Sequence, residues 1–99
     1  MTTTTKKTWN ELAEIEAAHH DRRAADFRVD AAKQLRDAAD DARYEADRIG
    51  ECGWKPLGDF RALSGIESAR RSLDEAIRHE AAARTIREVI ALATGTATA

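Results

Sequence analysis

The chain has a single cysteine, Cys52, so no disulfide can form within it. It has one proline, Pro56, and five glycines, three of them at positions 50, 53 and 58. Residues that break helices are therefore concentrated in one place, and none occurs from Thr8 to Ile49. Aromatic residues make up only 5% of the 99, and bulky aliphatic residues are also scarce. A lone two-helix hairpin built from them buries little surface against the entropy of ordering it. No apolar run approaches the roughly 18 residues of a membrane span, and no charged-then-apolar leader opens the chain. These absences make the cytoplasm the expected compartment. Neither sign of charge dominates: 18 acidic against 16 basic side chains leave a net charge of −2. That balance argues against binding nucleic acid or an anionic membrane through bulk charge.

What is abundant is alanine, 21 residues and half of the 42% hydrophobic fraction. Alanine is the strongest helix former, yet each methyl group buries little. Charge is segmented: residues 11–21 carry −4, 22–36 carry +3, 37–51 carry −4 and 52–71 carry +2. Such blocks suit antiparallel or intersubunit helix pairing, where opposite signs meet. Arginine outnumbers lysine twelve to four, which together with the alanine content suggests a GC-rich source.

Along the chain, residues 1–7 are polar and low in complexity, and a disordered tail is expected there. Thr8-Trp9-Asn10-Glu11 has the spacing of a capping box and predicts the start of a long helix. Its clearest apolar face combines Ala24, Ala31, Leu35, Ala38, Ala42, Ala46 and Ile49, widened by Ala25, Ala32 and Ala39. Phe27, Val29 and Tyr44 fall outside that stripe. Trp9, Leu12 and Ile15 project elsewhere, which predicts either a bend near residues 19–25 or a separate partner for the N-terminal part. The loop is expected at Gly50 to Gly58, with a short helical turn over 59–63. Ser64-Gly65-Ile66-Glu67 repeats the capping-box spacing and predicts the second long helix. There Ile66, Ala69, Leu73, Ala76 and Ile77 form one face, and Ile86, Val89, Ile90 and Ala93 another. Gly95 marks the stop, and residues 96–99 are expected to fray.

Few constellations point to chemistry. Glu16-Ala-Ala-His19 has the Glu-x-x-His spacing of helical-bundle metal sites, which need a second copy and further carboxylates. No nucleophile elbow, phosphate-binding glycine loop or His-Glu-x-x-His is present. The basic groups Arg22-Arg23 with Arg28, and Arg70-Arg71 with Arg78, are interrupted by Asp21, Asp26, Asp74 and Glu75 and lack interleaved aromatics. An enzyme, a metal or other cofactor, and a nucleic-acid partner are accordingly not expected. The loop is the better candidate. Trp54, Lys55, Leu57 and Phe60 set apolar anchors beside a cation, a combination enriched at interface hot spots. The alternative places Trp54 and Phe60 as a plug on the closed end of the hairpin.

The layout of two helices around a mid-chain Trp loop is similar to the small helical-hairpin proteins exported by type VII secretion. The Trp-x-Gly turn of those proteins is Trp54-Lys55-Pro56 here, with Gly53 preceding the Trp, and no C-terminal Tyr-x-x-x-Asp/Glu signal is present. Membership does not follow. The likeness to ferritin-like hairpins is limited to the Glu16–His19 spacing and the helical layout.

The expected fold is all-α: an antiparallel two-helix hairpin over residues 8–95 that self-associates, as a dimer, into a bundle. Leu12, Ile15, Leu35, Ile86, Val89 and Ile90 are the expected oligomer interface, with the open end facing the second copy and the closed end packed on itself. The expected function is a non-enzymatic protein–protein interaction factor that occludes a partner surface. Size and composition suit an accessory or inhibitor protein of a phage or mobile element. A metal-binding ferritin-like bundle and a nucleic-acid-binding helical protein are the alternatives.

Overall fold

The computed structural model describes residues 7–52 and 61–95. Two helices run antiparallel along their lengths: α1, Trp9–Cys52, of 44 residues, and α2, Arg61–Thr94, of 34. The Thr8 cap forms as its spacing predicts. Thr8 Oγ1 accepts from the Glu11 amide at 3.2 Å, and the Thr8 carbonyl accepts from the Leu12 amide at 3.1 Å. From there α1 continues without a break through residues 19–25, for roughly 66 Å at the standard rise.

Two boundaries differ from the sequence expectation. Gly50, Glu51 and Cys52 belong to α1, not to the loop. One glycine in a helix costs about 1 kcal/mol and does not end it when the neighbouring turns are already formed. Similarly, α2 starts at Arg61, so Ser64–Glu67 lies inside the helix and is not its cap. The first turn of α2 is satisfied from the other helix instead: Glu45 Oε1 accepts from the Ala62 amide at 3.3 Å. A carboxylate at a helix N-terminus is favoured by the exposed N–H groups and the macrodipole there. At the far end Gly95 takes φ +73°, the left-handed conformation that glycine adopts most cheaply, and its amide reaches the Leu92 carbonyl at 3.3 Å.

The seam between the helices is the main departure. It takes Ala24, Ala31 and Ala38 from the stripe expected on α1 and Ala69 and Ala76 from that on α2, but it excludes Leu35 and Ile49, which are 44% and 43% exposed. Nor do Ile66 and Ile77 line it, at 49% and 55%. The buried residues are Ala17, Ala24, Ala31 and Ala38 on α1 and Ala62, Ala69, Ala76 and Ala83 on α2, each set repeating every seven residues. Taking these as heptad position a, position d holds His20, Phe27, Gln34 and Asp41 on α1, and Gly65, Ser72, His79 and Ile86 on α2, all half-buried. The seam follows size and not bulk. A methyl group at these eight a positions lets the backbones approach closely. At Gly65 a Cβ would lie 2.9 Å from the Ala38 Cβ. Phe27, which lies off the stripe expected from sequence, belongs to this seam.

Candidate interaction surfaces

The d positions supply the seam's polar and aromatic contacts. Ser72 Oγ donates to Gln34 Oε1 at 2.9 Å. Farther toward the open end, His20 Nδ1 and His79 Nδ1 are 2.8 Å apart, a contact that requires one ring to donate and the other to accept. His79 also stacks on Phe27, with ring centres 5.7 Å apart and planes 13° apart. Glu16 Oε1 lies 3.4 Å from His20 Nε2, so the carboxylate pairs across four residues and not across the three of the Glu-x-x-His spacing. His19 is exposed, and among the described residues no set of three or more His, Cys, Asp or Glu converges on a metal-sized point.

Position e is where the helices exchange charge. Arg28 Nη2 donates to Glu80 Oε1 at 2.6 Å, and its Nε to Glu80 Oε2 at 3.2 Å. Arg87 Nη2 reaches Glu14 at 3.0 Å and Asp21 at 2.7 Å. Hydrogen bonding from these guanidiniums holds the Asp21 and Glu80 carboxyls below their ordinary range, and Arg28 and Arg87 are held above theirs by the same bonds. These pairs tie the acidic 11–21 block and the basic 22–36 block of α1 to α2. They also occupy part of the basic clusters: Arg28 is taken by Glu80, Arg78 lies 3.1 Å from Glu75, and Arg23 covers the Phe27 ring at 5.3 Å.

Among the described residues the three e-to-e ion pairs lie in the open-end half, and the same side of the hairpin changes character toward the loop. There positions b and e of α1 are Ala32, Leu35, Ala39, Ala42, Ala46 and Ile49, at alternating spacings of three and four, every one exposed. On α2 the corresponding positions carry Leu63, Ile66 and Ile77, all exposed, with the half-buried Leu73 and one charged residue, the exposed Arg70, at the b position between them. The bulky stripes noticed in sequence are therefore real, but they form an outward face.

A second apolar patch lies at the open end on the opposite, g-position side. Trp9, Ala13, Glu16, Thr85, Ile86 and Val89 line an open, shallow cleft of about 230 Å³. Trp9 is 56% and Val89 44% exposed, and Leu12 and Leu92 flank them, also exposed. Of the expected interface residues, Leu12, Ile15, Leu35 and Val89 thus face outward. Ile86 and Ile90 are half-buried at seam positions. The loop residues Trp54, Lys55, Leu57 and Phe60 lie outside the described residues. So does most of the polar tail expected at 1–7, and so do residues 96–99. Among the described residues, no helix is long and apolar enough to cross a membrane.

Comparison with protein-family models, with curated proteins and with solved structures finds no match for the chain.

Proposed function

We propose that this chain is a non-enzymatic interaction protein that works by covering a surface of a protein partner. The observation that supports it is where the bulky apolar residues lie. Alanine fills the buried seam, so Trp9 and Val89 at the open end are left on the outside along a shallow cleft, and Leu12 near the same end is also exposed. Exposed aromatic and aliphatic residues gathered in one place, rather than scattered, mark contact surfaces on soluble proteins. Trp54, Lys55, Leu57 and Phe60 in the loop remain the partner-binding candidates that the sequence offers. Charged side chains around the patches would set orientation and encounter rate more than affinity.

The test is affinity capture from the native host by the full chain, with mass spectrometry of what is retained. Leu12→Glu combined with Val89→Glu should abolish retention of a specific protein while circular dichroism stays helical. Trp54→Ala asks the same of the loop. A capture profile unchanged by both variants would sink this reading.

A further inference from the structure

We infer that the loop-proximal b/e face is the docking surface for a second copy of this chain, with the two hairpins aligned loop to loop in an antiparallel four-helix bundle. This goes beyond the partner-covering reading and does not depend on it, because it rests on the opposite side of the helices from the open-end cleft.

Three observations carry it. The first is angular. At 3.6 residues per turn, the centre of the b/e stripe lies about 100° around each helix from the a/d seam. Each helix of a four-helix bundle meets two neighbours at about that angle, so a hairpin with one finished seam and one bare stripe per helix has the shape of half a bundle. The second is spacing. The exposed stripe on α1 keeps the alternating three-and-four repeat through residues 32–49, which is the pattern of a helix seam and not of scattered surface residues.

The third is charge, and it selects the orientation. Position f borders the stripe on its outer side. In this half it holds Arg36 and Arg43 on α1 but Glu67 and Asp74 on α2, all exposed. Among the described residues none of the four enters an ion pair within the chain. A two-fold axis parallel to the helices lays α1 of one copy antiparallel against α2 of the other. The seam register that sets Gly65 beside Ala38, applied at equal height, brings Arg36 across from the second copy's Glu67. Turning the second hairpin end for end would instead set arginine against arginine and acid against acid. Only the loop-to-loop arrangement makes both edges complementary.

The face is two helices wide and roughly 27 Å long, or on the order of 500 Å² per copy. That is near the lower end of specific interfaces, so a dimer that dissociates in the micromolar range is expected, not an obligate one.

Sedimentation equilibrium over a concentration series of the full chain tests this. The mass should rise from 10.9 kDa toward twice that value. Ile66→Glu, at an exposed position, should hold the mass at the lower value with helicity retained. Arg36→Glu should weaken association severalfold, and adding Glu67→Lys in the same chain should restore it. A chain that stays monomeric at several hundred micromolar overturns the proposal. So does a dimer indifferent to Ile66→Glu, or one in which Arg36 can be reversed without loss. Dimerisation lost only on Leu12→Glu would move the contact to the open end and overturn it equally.

Discussion

The two halves of this hairpin share one seam and differ in what lies beside it. Toward the open end, the e positions are Glu14, Asp21 and Arg28 against Glu80 and Arg87, and they are joined by ion pairs. Toward the loop, the same positions are Leu35, Ala42 and Ile49 against Ile66 and Leu73, and they have no polar partner to meet. The same helical geometry therefore yields a self-satisfied flank in one half and an unfinished one in the other. An exposed ion pair contributes little stability, but it fixes register and leaves no hunger for further burial. An exposed leucine and isoleucine stripe does the reverse. The open-end half holds the hairpin in register, and the loop-proximal half has surface to offer.

The contrast can be sharpened by substitution, beginning with what the halves share. Ala76→Leu forces a large side chain into the alanine seam and should cost roughly 2–3 kcal/mol. That should lower the melting temperature by on the order of 10 °C or more. Ile77→Ala, one residue along but exposed, should change the stability of the isolated hairpin by less than about 0.5 kcal/mol. Equal melting temperatures for the two variants would mean that the seam is not where it is placed here.

Within the loop-proximal half, two glycines should respond in opposite directions. Gly65→Ala meets the Ala38 Cβ at 2.9 Å and should destabilise by on the order of 1–2 kcal/mol, despite the better helix propensity. Gly50→Ala meets nothing within 4 Å and should stabilise by up to about 1 kcal/mol. Denaturant titration distinguishes the signs.

In the open-end half, His79→Ala removes both the Phe27 stack and the His20 contact and should cost about 1 kcal/mol. The same denaturant measurement checks it, and an unchanged midpoint would remove this cluster from the account.

The smallest effect is electrostatic and has a defined direction. Asp21 and Glu80 have carboxyls lowered in the fold. The stability they contribute is present above the unfolded carboxylate pKa and is lost as pH falls through the folded value. Their share should therefore decline below about pH 4 and stay constant across neutral pH. Glu80→Gln should flatten that acid limb, and salt should do the same because the pairs are exposed. A wild-type acid limb unchanged by either would show that these pairs are idle.

Much of this architecture was legible without coordinates. The absence of breakers from Thr8 to Ile49, the Thr8 cap and Gly95 delimit the helices, because these are local backbone effects that do not wait for tertiary contacts. The loop edges were less legible. Gly50 is tolerated inside α1, and the start of α2 is satisfied by Glu45 from the other helix, a contact no local motif announces. The candidate surfaces were half legible. Leu35, Leu12 and Val89 stand out as bulky residues, but His20, Phe27 and His79 do not read as neighbours across more than fifty residues of chain.

The seam teaches the same distinction more sharply. Its signal is in the sequence, in the heptad repeats Ala17, Ala24, Ala31, Ala38 and Ala62, Ala69, Ala76, Ala83. A search for the most apolar face includes Ala24, Ala31, Ala38, Ala69 and Ala76 but centres the stripe beside them, because the larger neighbouring residues outweigh the methyl groups. Which of two adjacent stripes turns inward is decided only when two helices pack. Close backbone approach favours the small side chains, and those that are too large for the gap are left on the outer face. By itself, then, the order of residues determined two long helices and their reversal. Tertiary packing decided that alanine is buried, and that leucine and isoleucine are what the molecule presents.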